Sequence, residues 1–111
     1  MRDIQAEVHK LALDNGWWEN ADIKIVPEKL ALIHAEVSEA LEEYRDGKME
    51  VYFSGQYDAH PKPEGFGVEL ADAMIRILDL AEWLGIDMET LVTQKHAYNQ
   101  NRPYRHGGKL A

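Results

Sequence analysis

The stretch from Gly67 to Leu84 constrains this 111-residue chain more than any other. Read as a helix stepping about 100° per residue from Val68, its apolar side chains fill nearly everything from about 120° round to 360°. They include Leu70, Ala71, Ala73, Met74, Ile75, Ile77, Leu78, Leu80 and Leu84. A surface helix needs an apolar arc only somewhat wider than about 100°. An arc twice that wide predicts neighbours on two sides and a helical domain with this segment at its centre. The remaining window holds Glu69, Asp72, Arg76 and Asp79. Carboxylates on so narrow a strip would sit within protein, where an unpaired charge is costly and a divalent cation is a usual remedy. The alternative is an exposed edge on which Arg76 pairs with Asp72 and Asp79.

A second acidic phrase stands some thirty residues earlier. Pro27 reads as the first turn of a helix that Asp46-Gly47 ends. Leu30, Ile33, Val37, Ala40, Leu41 and Tyr44 form its core-facing stripe, with Glu36, Glu39 and Glu43 on the shoulder. Shoulder acids can point into a crevice between helices; the competing reading is a solvated glutamate flank. Glu36/Glu39 and Glu69/Asp72 are each i, i+3 pairs, so each sets two carboxylates on one face, with Cβ atoms about 5–6 Å apart. Two such pairs on facing helices make an oxygen-rich pocket suited to Mg²⁺, which accepts carboxylates, water and phosphate oxygens.

The remaining segments are shorter. Ile4, Val8 and Leu11 recur at helical spacing between Asp3 and Leu13, and Asn15-Gly16 supplies a stop. Trp17-Trp18 follows in a linker to Val26, either as a core plug or as a platform on which a base stacks. Residues 48–66 read as an irregular connection, long enough to be functional or an insertion. A short hairpin of Val51-Tyr52-Phe53 and Tyr57 around Ser54-Gly55 is limited there by Pro61, Pro63 and Gly65. Gly85 stops the third helix, Asp87 is the N-cap of a fourth, and Asn101-Arg102-Pro103 weakens it. Residues 102–111 read as a basic flexible tail. The expectation is one all-α domain spanning 1–111, a small bundle of about four helices.

Charge then narrows the function. The first 94 residues carry all twenty acids against eight Lys/Arg, whereas Lys95 to Ala111 carries four basic residues and no acid. That division fits metal at one place and phosphate at another. A net charge of −8 argues against wrapping nucleic acid or binding an anionic membrane. Without cysteine there is no disulfide and no thiolate site. No apolar run reaches bilayer length, and Met1 to Gln5 lacks a signal core, so the expected setting is cytoplasmic. No histidine has a glutamate three residues before it, unlike the Glu-x-x-His pairs of di-iron bundles. Walker, nucleophile-elbow and EF-hand patterns are absent as well.

Glu36-x-x-Glu39 followed by Glu69-x-x-Asp72, in a small acidic chain, resembles the MazG-like nucleotide pyrophosphohydrolases of the all-α nucleoside triphosphate pyrophosphatase group. Leu30 to Arg45 is similar to that family's first acidic helix and Lys62 to Asp72 to its second. Tyr98 to Lys109 resembles the C-terminal segment of its short members. The resemblance implies Mg²⁺-dependent hydrolysis of a nucleoside triphosphate to monophosphate and pyrophosphate, with Mn²⁺ as a substitute cation. It implies Glu36, Glu39, Glu69 and Asp72 as metal ligands, with Glu39 the first choice to orient the attacking water and Glu36 the second. Lys95, Asn99 and Arg102 would lie nearest the phosphates, backed by Arg105 and Lys109. It also implies a bundle completed by a second subunit, as a dimer or tetramer. Where the family has a further glutamate before the first pair, this chain has Ala35, so it would hold fewer metals or have Glu43 or Asp79 take up part of the role. The alternative is a non-catalytic acidic helical oligomer that binds a nucleotide or a protein partner.

Overall fold

The computed structural model describes residues 1–103. Four helices run in order: α1 (Arg2–Asp14), α2 (Val26–Arg45), α3 (Phe66–Trp83) and α4 (Met88–Gln100). A 3₁₀ turn at Ile23–Ile25 leads into α2, and a two-stranded antiparallel sheet, β1 (Tyr52–Ser54) and β2 (Lys62–Glu64), joins α2 to α3. The architecture is therefore mostly helical, but not purely α. Among the described residues no helix is long and apolar enough to cross a membrane.

The sheet departs from the expected hairpin. Tyr52 pairs with Glu64, Phe53 with Pro63 and Ser54 with Lys62, so the returning arm is Lys62–Glu64 and Tyr57 is left 94% exposed. Pro63 is tolerated because a two-stranded sheet leaves β2 an open edge where no N–H is needed. The Tyr52 hydroxyl donates to both carboxylate oxygens of Glu43, at 3.0 and 3.1 Å, and so ties the sheet to α2. The chain then turns through Gly65 at φ 122°, where a Cβ would come within 2.5 Å of the Glu50 carbonyl oxygen. Only glycine accepts both that conformation and that approach. Phe66 N–H donates to the Lys48 carbonyl at 3.0 Å, which sets the start of α3 beside the end of α2.

α3 packs on α2 along one side and on α1 along another, which meets the expectation of two neighbours. The core gathers Ala12, Trp18 and Leu80, with Ile33 and Trp83 against them. Trp18 stacks on Trp83 at 4.7 Å between centroids, with an interplanar angle of 15°. The stripe assigned to α2 needs correction. Its protected line is Ile33, Glu36, Ala40 and Glu43, whereas Leu30, Val37, Leu41 and Tyr44 are exposed. The reason is rotational: α2 packs on α3 with its Ala40 line buried, and that turns the glutamate shoulder inward. Leu70, Met74 and Ile77 of α3 also remain exposed, and α4 buries no residue. The radius of gyration is 17.1 Å, against about 13 Å for a compact chain of this length.

Gln5 pins the helices together. Its side chain is fully buried, donates to Glu82 Oε1 (3.1 Å) and the Ile86 carbonyl (2.7 Å), and accepts from Met88 N–H (3.2 Å). Gln5 thus satisfies an orphan N–H at the start of α4. Asp87 stands at the N-cap, but its carboxylate accepts from Thr90 Oγ1 instead of the backbone. Gln5→Ala is expected to lower unfolding free energy by about 2 kcal/mol, because three polar groups lose a buried partner. Urea unfolding followed by circular dichroism measures it; a loss under about 0.5 kcal/mol would mean water replaces the amide.

Candidate metal centre between α2 and α3

The inward turn of α2 carries Glu36 toward the first turns of α3, where Glu69 and Asp72 share a face. One carboxylate oxygen from each of Glu36, Glu69 and Asp72 lies within 4.8 Å of the others. Glu69 is only 8% exposed, and its Oε2 has no hydrogen-bond partner. Buried polar atoms are nearly always partnered, whereas this carboxylate oxygen, on a residue of the acid cluster, has no donor. Burial first, and then the neighbouring Glu39 carboxyl, push Glu69 up to about 7, with Asp72 and Glu36 adding to the effect. Asp72 is raised too, by burial and by the charge of Glu36, against the opposing pull of Arg76 and Lys62. Glu39 itself is exposed and stands at the rim. The cluster therefore assembles three of the four expected ligands, with the fourth at its edge.

Other assignments change. Arg76 does not pair along its own helix: its Nε donates to Glu36 Oε1 at 2.9 Å, across to α2. Asp79 is 5% exposed and accepts Trp18 Nε1 at 3.0 and 3.1 Å and shares 2.7 Å with His9 Nδ1. Glu43 is engaged by Tyr52. Both residues named as stand-ins for a glutamate at Ala35 are therefore already committed to other partners. Trp18 is a core plug, with Lys29 Nζ 4.3 Å from its ring centroid. Trp17 is half exposed, its ring centroid 6.0 Å from the Arg76 guanidinium, so of the two it alone offers an open ring near the acids.

The basic candidates are placed elsewhere. Lys95 and Asn99 are exposed on α4, Arg102 follows it, and Lys95 and Arg102 both lie over the Tyr98 ring. α4 makes its main contact with α1, while the acids lie between α2 and α3. Arg105 and Lys109 lie outside the described residues. Sequence reasoning missed the His9–Asp79–Trp18 cluster and the reach of Arg76 to Glu36. Asp79 was legible as part of the buried strip, but its partners come from α1 and the linker, and no spacing rule joins those to α3.

The raised Glu69 carboxyl carries a pH dependence. Its folded-state value, about 7, lies above the ordinary 4.5, so the folded chain binds a proton more tightly than the unfolded one. Stability without metal should therefore fall as pH rises from 5 to 8, and cation affinity should rise over the same interval. Urea midpoints at pH 5 and pH 8 in EDTA test this, and Glu69→Gln is expected to flatten the difference. An unchanged slope in that variant would assign the effect elsewhere.

Compared with protein-family models, curated proteins and solved structures, the chain shows no match.

Proposed function

We propose that the protein is a Mg²⁺-dependent nucleoside triphosphate pyrophosphohydrolase. The observation that carries this is the Glu36–Glu69–Asp72 cluster with its buried, unpartnered Glu69 Oε2. The resemblance of the two acid phrases and the Tyr98–Lys109 segment to MazG-like enzymes supplies the reaction class. Glu36, Glu69 and Asp72 would hold the cation, with Glu39 joining from the rim. When bound, it would supply charge neutralisation on phosphate oxygens and a more acidic water.

The chain's own residues do the rest. Glu39, exposed beside the cluster, would take a proton from the attacking water. The water oxygen would bond to one phosphorus of the α–β anhydride as that anhydride bond breaks, giving nucleoside monophosphate and pyrophosphate. Trp17 offers its face to the base, with Arg76 between it and the acids. Lys95, Asn99 and Arg102 would stabilise charge on the leaving group from a second copy of the chain. The exposed apolar faces of α2, α3 and α4 support such a homo-oligomer, because apolar patches of that extent mark interaction surfaces.

Incubation with a panel of standard and modified nucleoside triphosphates plus Mg²⁺, scored for pyrophosphate, tests the activity. No release from any member sinks it. A non-catalytic acidic oligomer is the second reading, favoured by the Arg76–Glu36 ion pair, which satisfies part of the cluster without metal. That reading expects no rise in melting temperature with Mg²⁺, since a ligand of the native state must stabilise it.

A further inference from the structure

Arg76 is a cation already inside the cluster. Its Nε–H donates to Glu36 Oε1 at 2.9 Å, the Glu36 side chain is 12% exposed and that of Arg76 30%, and Trp17 lies beside the guanidinium. The same Glu36 contributes one of the three converging oxygens. A carboxylate has two oxygens, so Glu36 can reach a divalent ion while still holding Arg76. In that state a fixed positive charge stands next to a doubly charged ion, and partial burial limits the screening between them.

We propose that Arg76 is an internal counter-cation of the pocket: it neutralises Glu36 in the substrate-free protein, opposes loading by the divalent ion alone, and so couples cation entry to arrival of the polyanionic triphosphate. The inference rests on the metal-site reading above. A triphosphate brings several negative charges, which reverses the balance at Arg76: the guanidinium that repels a bare cation attracts the cation–nucleotide complex. Arg76 is thus a positioning residue acting through Glu36. Its neighbour Trp17 senses the change in the guanidinium's surroundings.

The test uses Mn²⁺ as the probe, with binding to the full chain followed by electron paramagnetic resonance in the absence of nucleotide. Arg76→Gln, and Arg76→Met as a second neutral form, are expected to bind Mn²⁺ about tenfold more tightly than wild type, with Arg76→Lys near wild type. A residue that merely oriented Glu36 would move affinity the other way, because its loss would let the carboxylate swing out of the cluster. Equal or weaker Mn²⁺ binding by the folded neutral variants therefore overturns the proposal. Mn²⁺ binding in no variant, or unchanged by Glu69→Gln, overturns the metal-site reading itself. A second readout needs no Arg76 variant: Mg²⁺ titration of the wild-type chain should shift tryptophan emission, and Trp17→Phe should abolish that shift. Emission insensitive to saturating Mg²⁺, in a chain that the Mn²⁺ experiment shows to bind the ion, also overturns the proposal.

Discussion

Asp72→Asn and Glu69→Gln are each expected to reduce Mg²⁺-dependent pyrophosphate release at least about a hundredfold, roughly 2.7 kcal/mol of barrier. Each change turns one of the three carboxylates that converge within 4.8 Å into a neutral amide and keeps the volume of the side chain. The stability of the metal-free chain should move the opposite way. Burial holds Glu69 up to about 7, so its ionised form is disfavoured where it sits, and a neutral amide relieves that strain. Asp72, raised by burial and by Glu36, should behave alike. A variant that melts no lower than wild type in EDTA, yet has lost turnover and the Mg²⁺-dependent rise in melting temperature, separates a ligand from a structural acid. Turnover within tenfold of wild type in both variants would remove these carboxylates from the chemistry.

Asp79→Ala is expected to have the largest effect on folding, a loss of about 3 kcal/mol in unfolding free energy. Asp79 is acidic like Asp72 and lies on the same strip of α3, but its two oxygens are taken up by Trp18 Nε1 and His9 Nδ1. Truncation leaves the indole N–H of a buried tryptophan without an acceptor. It also loosens the stack of Trp18 on Trp83, which joins the linker to α3. Asp79→Asn should fall between, since its carbonyl oxygen can still accept from the indole. Urea midpoints and near-ultraviolet circular dichroism, which reports the packed tryptophans, measure both. A loss below about 1 kcal/mol for the alanine variant would show that water replaces the carboxylate at little cost.

The contrast between Asp72 and Asp79 marks where sequence stops being sufficient. Both stood in the polar window of a helix too apolar for a surface role, and the structure protects that window as expected. Their division, Asp72 into the carboxylate cluster and Asp79 onto Trp18 and His9, came from what α1, α2 and the linker bring to them. Trp17 and Trp18 are adjacent and chemically identical, yet one is an open ring and the other a core plug.

By itself the sequence determined the local architecture. Asn15-Gly16, Pro27, Asp46-Gly47 and Gly85 bounded the helices, and i, i+3 spacing put Glu69 with Asp72 on one face. Those features depend on backbone dihedrals and the 3.6-residue repeat, which neighbouring residues dictate. Only the tertiary structure decided that Arg76 crosses to Glu36, that Leu30, Val37, Leu41 and Tyr44 face outward, that Lys62–Glu64 returns the hairpin, and that Gln5 caps α4. Each of these depends on the rotation and offset of one element against another, set by packing among residues far apart in the chain, about which periodicity within a helix carries no information.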